Sequence, residues 1–295
     1  MSDATDGRSL WVALTLIVGF MVVEVVAAFL AGSLALLADA GHMLTDVGAL
    51  GGSIWAMRLA RRPASKLWSF GLKRAEILAA AVNGVTLLLV GVLVLIEAVH
   101  RLIQPPAVAG PTLLVVALVG IPVNLTAAAV LSQANRASLN VEGAFQHILT
   151  DLYGFVGTAV AGLVVIITGW RRADPLASLL VVVLVLRAAW GLLRASGRVL
   201  LEGTPEAVDL DEVRQHLLEL DEVLAVHDLH AWTLTSDLPA LSAHVVVTDD
   251  CLNDGSAAKV IDHLQHCLAN HFDVEHSTFQ LEAVTHAAHE PGMHE

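Results

Sequence analysis

This chain is short of charge. Asp, Glu, Lys and Arg make up only 15% of its 295 residues, hydrophobic residues make up 56%, and the mean hydropathy is +0.68. A soluble domain is about a quarter charged, so composition excludes that class for most of the chain. Cysteine is scarcer still, with Cys251 and Cys267 alone. Two thiols make no disulfide framework, and both are expected to stay reduced in a cytosolic segment, Cys251 as a weak metal ligand. Basic residues are nearly missing from the last third. Residues 201–295 hold 2 Lys+Arg against 19 Asp+Glu, a net −17, whereas residues 1–200 hold 14 against 10, a net +4. Eleven of the fourteen histidines also follow residue 200. Such a segment repels nucleic acid and attracts cations, so no nucleic-acid partner is expected. No cleavable signal peptide is evident, because the start is polar and acidic and the first apolar run is long enough to span. No His-Glu-x-x-His occurs. An intramembrane zinc protease would need that general base beside its ligands, so the chain is not expected to be an enzyme.

Against these absences stands a surplus of long apolar runs. A membrane-spanning helix needs about 20 mostly apolar residues. Six stretches qualify: 10–31, 34–58, 77–101, 111–132, 142–169 and 175–196. A soluble helical core is excluded, because no amphipathic helices remain to cover them. Basic residues sort the loops. Arg8, Arg58, Arg61, Arg62, Lys66, Lys73, Arg74, Arg136, Arg194 and Arg198 fall on one side, and Arg101, Arg171 and Arg172 on the other. This bias places both termini in the cytoplasm, in an integral protein of the cell (inner) membrane contacting lipid on all sides.

After Leu201-Glu202-Gly203 the periodicity changes. Residues 209–220 and 255–272 read as amphipathic helices, and 223–235, 241–248 and 276–284 as strands. In the last strand Thr278, Gln280 and Glu282 share one side, Phe279 and Leu281 the other. The order αββαβ predicts a small α+β sandwich, ferredoxin-like, with one sheet covered by two helices. The fold class is thus an α-helical membrane protein with six transmembrane helices and a C-terminal α+β cytosolic domain. Expected boundaries are a cytosolic N-terminus at 1–9, the transmembrane domain at 10–200, the cytosolic domain at 201–285 and a disordered tail at 286–295.

One short repeat carries chemistry. His42-Met43-Leu44-Thr45-Asp46 in the second span returns as His147-Ile148-Leu149-Thr150-Asp151 in the fifth. Residues four apart lie on one helix face. Two facing helices then offer two imidazoles and two carboxylates, a tetrahedral set that suits zinc. An ionisable group at membrane depth costs several kcal/mol, so four at matched spacing point to a site for a divalent cation. The alternative is that each pair only bonds internally and packs helices. The pairs meet only if the fifth helix begins near Leu139 or water reaches inward. Zinc needs neutral imidazole and ionised carboxylate, so binding releases protons, and export of metal against incoming protons by alternating access is the expected cycle. A membrane-tethered metal sensor is the rival reading, disfavoured because sensing needs no ligands in the membrane. Asp39 is expected to help, either by accepting a hydrogen bond from a ligand or by drawing cations in near the outer mouth, and Glu24, Asn83 and Asn124 to bond between helices.

The chain resembles the cation diffusion facilitator family, the zinc/cadmium efflux transporters. The resemblance covers nearly its whole length. It rests on Ser33-Leu34-Ala35-Leu36 leading to Asp39-Ala40-Gly41-His42-Met43, on Ser69-Phe70-Gly71 with Arg74-Ala75-Glu76-Ile77, on Leu200-Leu201-Glu202-Gly203-Thr204-Pro205, and on His227-Asp228-Leu229-His230-Ala231-Trp232. It implies a homodimer, proton-coupled export, and His42, Asp46, His147 and Asp151 as the transport site. His42 in place of Asp implies a preference for zinc over cadmium, with cobalt and iron left open. It also implies an interlock of Arg74 with Glu202, beside the alternative that Arg74 anchors to the membrane surface. Two features of relatives are missing. Ser65, Trp68 and Leu72 stand where some bacterial members hold a second metal, and residues 133–141 contain no His-rich loop.

In the acidic segment His227 and His244 fall on neighbouring expected strands and Glu282 on the third. Imidazole plus carboxylate again suits zinc, and the resemblance implies a regulatory metal there. Zinc is therefore expected both as transported substrate and as regulatory ligand. His230, Cys251, His263 and His276 are further candidates, and Gln280 argues against a second cytosolic metal. Two domains of −17 side by side repel each other within about 8 Å at physiological salt, so bound metal is expected to close the dimer. His286, His289 and His294 belong to the expected tail.

Overall fold

The computed structural model describes residues 2–31, 34–104, 110–236, 238–253, 255–274 and 276–289, with backbone alone for 2–6, 24, 27–31, 34–42, 45, 110, 112 and 113. It divides into two compact units, one ending at Ser196 and the other beginning at Gly197. Among the described residues the first holds six long helices: α1 (Ser2–Ala31), α2 (Leu34–Ala60), α3 (Ala75–Ile103), α4 (Gly110–Leu131), α5 (Leu139–Thr168) and α6 (Ala173–Leu200), whose last residues run into the second unit.

Among the described residues four stretches are long and apolar enough to cross a membrane: Ala75–Ile103, Leu114–Leu131, Leu139–Thr168 and Ala173–Leu200. In α1 the described side chains include the apolar stretch Gly7–Val23. In α2 the polar residues of the repeat and four glycines dilute the apolar character. The outer surface of the unit remains apolar, with Leu180, Ile167, Trp190 and Leu93 all largely exposed. A protein in water does not carry such a surface, whereas lipid demands it.

Inside the unit, α1, α2, α4 and α5 share a core built on Leu10, Ile17, Leu50, Ile54, Leu131, Val141 and Ile148. Helices α3 and α6 meet at Leu87, Val185 and Ala189. Small residues permit close approach. A Cβ on Gly120 of α4 would stand 2.5 Å from the Phe155 ring of α5, and one on Gly84 of α3 would stand 2.9 Å from Leu193 of α6. Polar links fix the register. Asn83 Nδ2 donates to Ser53 Oγ at 3.2 Å, and Asn140 Nδ2 donates to the Ser53 carbonyl at 2.9 Å. The expected interhelical bond of Asn83 is thus present. Asn124 instead donates within α4, to the Gly120 carbonyl at 3.2 Å, because its amide reaches its own preceding turn first.

The second unit contains α7 (Leu210–Leu218), β1 (Val223–Thr235), β2 (Leu238–Val247), α8 (Asp249–Asn253), α9 (Ala257–His271), β3 (His276–Glu282) and α10 (Val284–Ala287). Asp209 caps α7, its carboxylate accepting from the amides of Asp211 and Glu212. The sheet has three strands in the order β1-β2-β3, with β1/β2 antiparallel and β2/β3 parallel. Alternation divides its faces. Leu241, Ala243, Val245 and Val247 pack under Val213 and Leu217 of α7 and Val260, Leu264 and Leu268 of α9. Phe279 and Leu281 join that side, so Thr278, Gln280 and Glu282 turn to the other, as their alternation predicts. Past the sheet, α10 and the turn to His289 occupy the start of the expected tail, and residues 290–295, with His294, lie outside the described residues.

Candidate metal centres

The first centre lies where α2 meets α5. Ser138 starts α5, its hydroxyl oxygen accepting from the Val141 amide and its O–H bonding Glu76 of α3. Starting at Leu139, α5 carries His147 more than two turns into the helix. His147 Nε2 lies 2.7 Å from Asp46 Oδ1, and both side chains are buried. Asp46, His147 and Asp151 bring one ligand atom each within 4.8 Å of one another. His147 Nδ1 is buried with no hydrogen-bond partner among the described residues. The backbone of His42 stands on α2 one turn before Asp46, and its side chain, like those of Asp39 and Glu24, lies outside the described residues.

A cavity of about 240 Å³ adjoins Asp46, His147 and Asp151. Its lining includes Asn124, Thr150, Phe155, Thr158, Asp174 and Ser178. Asp174, in the first turn of α6, is 9% exposed. Asp174 is not among the residues that spacing or motif marks in the sequence. The available signal was an acidic residue just inside an apolar run, beside Pro175. Glu97 of α3 pairs instead with Arg101, one turn away, at 2.7 Å.

The second centre lies on the sheet face opposite α7 and α9. His227 and His244 are direct partners across β1 and β2, and Glu282 pairs with Val246, diagonal to His244. Glu282 is 2% exposed; its Oε1 lies 2.8 Å from His244 Nδ1 and its Oε2 lies 3.3 Å from His227 Nε2. These three also offer ligand atoms mutually within 4.8 Å. The imidazole rings stand 5.2 Å apart. Two imidazoles on one tetrahedral zinc, with Zn–N about 2.0–2.1 Å, put their ring centres about 5.2 Å apart. The register of β1 shifts between His227 and His230, and Asp228 takes φ 48 there. That kink turns the Asp228 carboxylate to His230 at 3.0 Å and to His244 at 3.8 Å. The other candidates do not join the group. Cys251 is buried in the hydrophobic core, His263 lies on α9 across the sheet, and His276 begins β3 at its far end.

A helical membrane domain with two carboxylates and an imidazole gathered between its helices, followed by a small α+β domain bearing a second group of two imidazoles and a carboxylate, defines an integral membrane protein with two candidate cation sites. The chain belongs to the cation efflux family, the cation diffusion facilitators. The family model for the cation efflux transmembrane domain matches residues 10–201, and that for the cytoplasmic domain of cation efflux proteins matches 205–284. A cadmium, cobalt and zinc/H(+)-K(+) antiporter of Bacillus subtilis (strain 168) is 37% identical over 97% of this chain and 92% of its own length. The zinc transporter ZitB of Escherichia coli (strain K12) is 40% identical over 96% and 89%. The metal cation efflux system protein CzcD of Cupriavidus metallidurans (strain ATCC 43123 / DSM 2839 / NBRC 102507 / CH34) is 42% identical over 93% and 86%. A solved metal-bound C-terminal domain of a CzcD transporter is 41% identical over 25% of this chain and 99% of its own, with a TM-score of 0.23.

Proposed function

We propose that this protein exports a divalent cation, zinc in the first place, from the cytoplasm in exchange for protons. The observation that carries the reading is the buried meeting of Asp46, His147 and Asp151 between two helices. His42 is the fourth ligand, placed by the repeat one turn before Asp46. The 2.7 Å contact between His147 and Asp46 holds a proton that an entering cation must displace, since the metal takes neutral imidazole and ionised carboxylate. Metal release then returns protons to the same atoms, which couples the two flows. The cation moves as substrate through alternating access, with both termini cytoplasmic, all six long helices spanning the cell (inner) membrane and two copies forming a dimer. The family membership and the antiporter and zinc transporter named among the relatives support this reading. The group His227, His244 and Glu282 binds a regulatory cation in a ferredoxin-like cytosolic domain. Four protein ligands leave no open position for a reacting water, which favours transport over catalysis.

The test is zinc movement in sealed vesicles containing purified protein under an imposed pH gradient. Uptake driven by the gradient is expected in the wild type, and loss of uptake in Asp46→Ala and Asp151→Ala with cytosolic binding intact. Gradient-independent uptake, or full uptake by both variants, would overturn it. His42→Asp is expected to shift selectivity from zinc toward cadmium.

A further inference from the structure

Every Lys and Arg in the first 200 residues falls at or near a loop except Arg187, which stands in the middle of α6, in a stretch apolar and long enough to cross a membrane. A guanidinium is always charged, and such a group at membrane depth marks a site until its partner is named. The two faces of α6 are sharply divided. Val182, Val185, Ala189 and Leu192 are buried, whereas Leu180, Val183, Leu184, Arg187, Trp190 and Arg194 form an exposed stripe on the opposite side. Arg187 and Arg194 are two turns apart on that stripe, about 10.5 Å by helical rise, a gap that two arginine side chains reaching toward each other close. Neither guanidinium bonds or pairs with any described residue. Arg187 also stands about 20 Å of rise from either end of α6, too far to bring its charge to water by stretching along the helix. The counter-charge has to come to it. A second copy of the chain does not supply one, because among the described side chains of this unit no carboxylate is left exposed and unpaired. Glu76 bonds Ser138, Glu97 pairs with Arg101, Glu142 pairs with Arg136, Asp174 is buried, and Asp46 and Asp151 belong to the first centre.

We propose that Arg187, Trp190 and Arg194 form a binding site for the phosphate of an anionic phospholipid, drawn inward from the leaflet at the Leu200 end of α6. Guanidinium forks take phosphate oxygens in pairs, and two forks on one phosphate hold it between their turns. Trp190, 67% exposed and one turn from each arginine, supplies an amphipathic ring of the kind that settles at headgroup level. The acyl chains continue along Leu184, Val183 and Leu180, the apolar part of the same stripe. A headgroup without its own ammonium is favoured, since an ammonium would add a third cation beside the two guanidiniums. Were the arginines only surface anchors, headgroup charge would act on Arg194 and leave Arg187 without effect.

Native mass spectrometry tests this on the full chain in detergent, with equal phosphatidylglycerol and phosphatidylcholine of identical acyl chains added. The wild type is expected to keep phosphatidylglycerol under activation that strips phosphatidylcholine. Arg187→Gln and Arg194→Gln are each expected to lower phosphatidylglycerol retention by at least about fivefold, with phosphatidylcholine unchanged. Arg172→Gln removes a like charge at the other end of α6 and is expected to retain lipid as the wild type does. Circular dichroism checks that each variant is folded. No preference between the two lipids in the wild type, an equal loss in Arg172→Gln, or a folded Arg187 or Arg194 variant with wild-type retention overturns the proposal. So does loss of a dimer mass in those variants with lipid retention unaltered, which would give the stripe to a second copy. Transport is not read in this experiment, so its failure is distinct from failure of the export reading.

Discussion

His147 Nε2 and Asp46 Oδ1 stand 2.7 Å apart although 101 residues separate them in the chain. Each is buried, and each belongs to one copy of the same five-residue repeat. Their contact joins α5 to α2 at the point where the reading of this protein as a cation exporter is concentrated.

Replacing one partner should strand the other in a buried site. We expect Asp46→Asn to lower proton-driven zinc uptake by at least about 100-fold, comparable to or greater than the loss of an outer-shell partner. His147→Ala should do the same. Vesicle uptake with a zinc-sensitive dye measures both. Retention of more than a tenth of wild-type uptake in either variant counts against a shared site.

On the sheet face, Glu282 is the buried carboxylate that both histidines address. Glu282→Gln keeps the shape and removes the charge, so zinc stoichiometry by calorimetry should fall by one per chain while uptake at saturating zinc persists. An unchanged stoichiometry would remove Glu282 from the ligand set.

Gly120 is held small by the Phe155 ring of α5. Gly120→Ala must push that ring aside, toward the cavity it lines. We expect a loss of about 1–3 kcal/mol in stability, seen as a lower unfolding midpoint in detergent, together with reduced uptake. Phe155→Leu in the same chain should restore part of both. No shift in the midpoint of the single variant would show that the helices separate freely here.

Cys267 lies outside the membrane domain, and burial, then the charge of Glu219, push its thiol above the ordinary value. Only the thiolate is alkylated, so the reaction should be slow at neutral pH and quicken as pH rises past the usual thiol range. Glu219→Gln should speed the neutral-pH reaction by moving the pKa down. Equal rates with and without Glu219 would assign the whole effect to burial.

The site was legible where its chemistry repeats. Two His-x-x-x-Asp segments on apolar helices declare their own spacing, and alternation along β3 declared the face on which Glu282 lies. The beginning of α5 was less plain. The expected stretch opens at Glu142 and leaves Asn140 outside it, yet Asn140 is fully buried, bonded to the Ser53 carbonyl. A polar residue satisfied by a distant backbone is invisible to a hydropathy window, which sees only neighbours. Asp174 was overlooked for the same reason, since its place beside the cavity depends on how α6 crosses α5. Cys251 differs in the opposite direction: the sequence offers it as a weak metal ligand, and the fold places it in the core.

By itself the sequence determined the long apolar helices, the division near residue 200, the order of the small domain and the types of group available to a cation. These are local quantities, set by periodicity, turn residues and composition. Only the tertiary structure decided that Asp46 meets His147 and that His227 and His244 converge on Glu282. Such pairings depend on how separate elements cross and register, and that is settled by side-chain volumes and polar links between segments far apart in the chain.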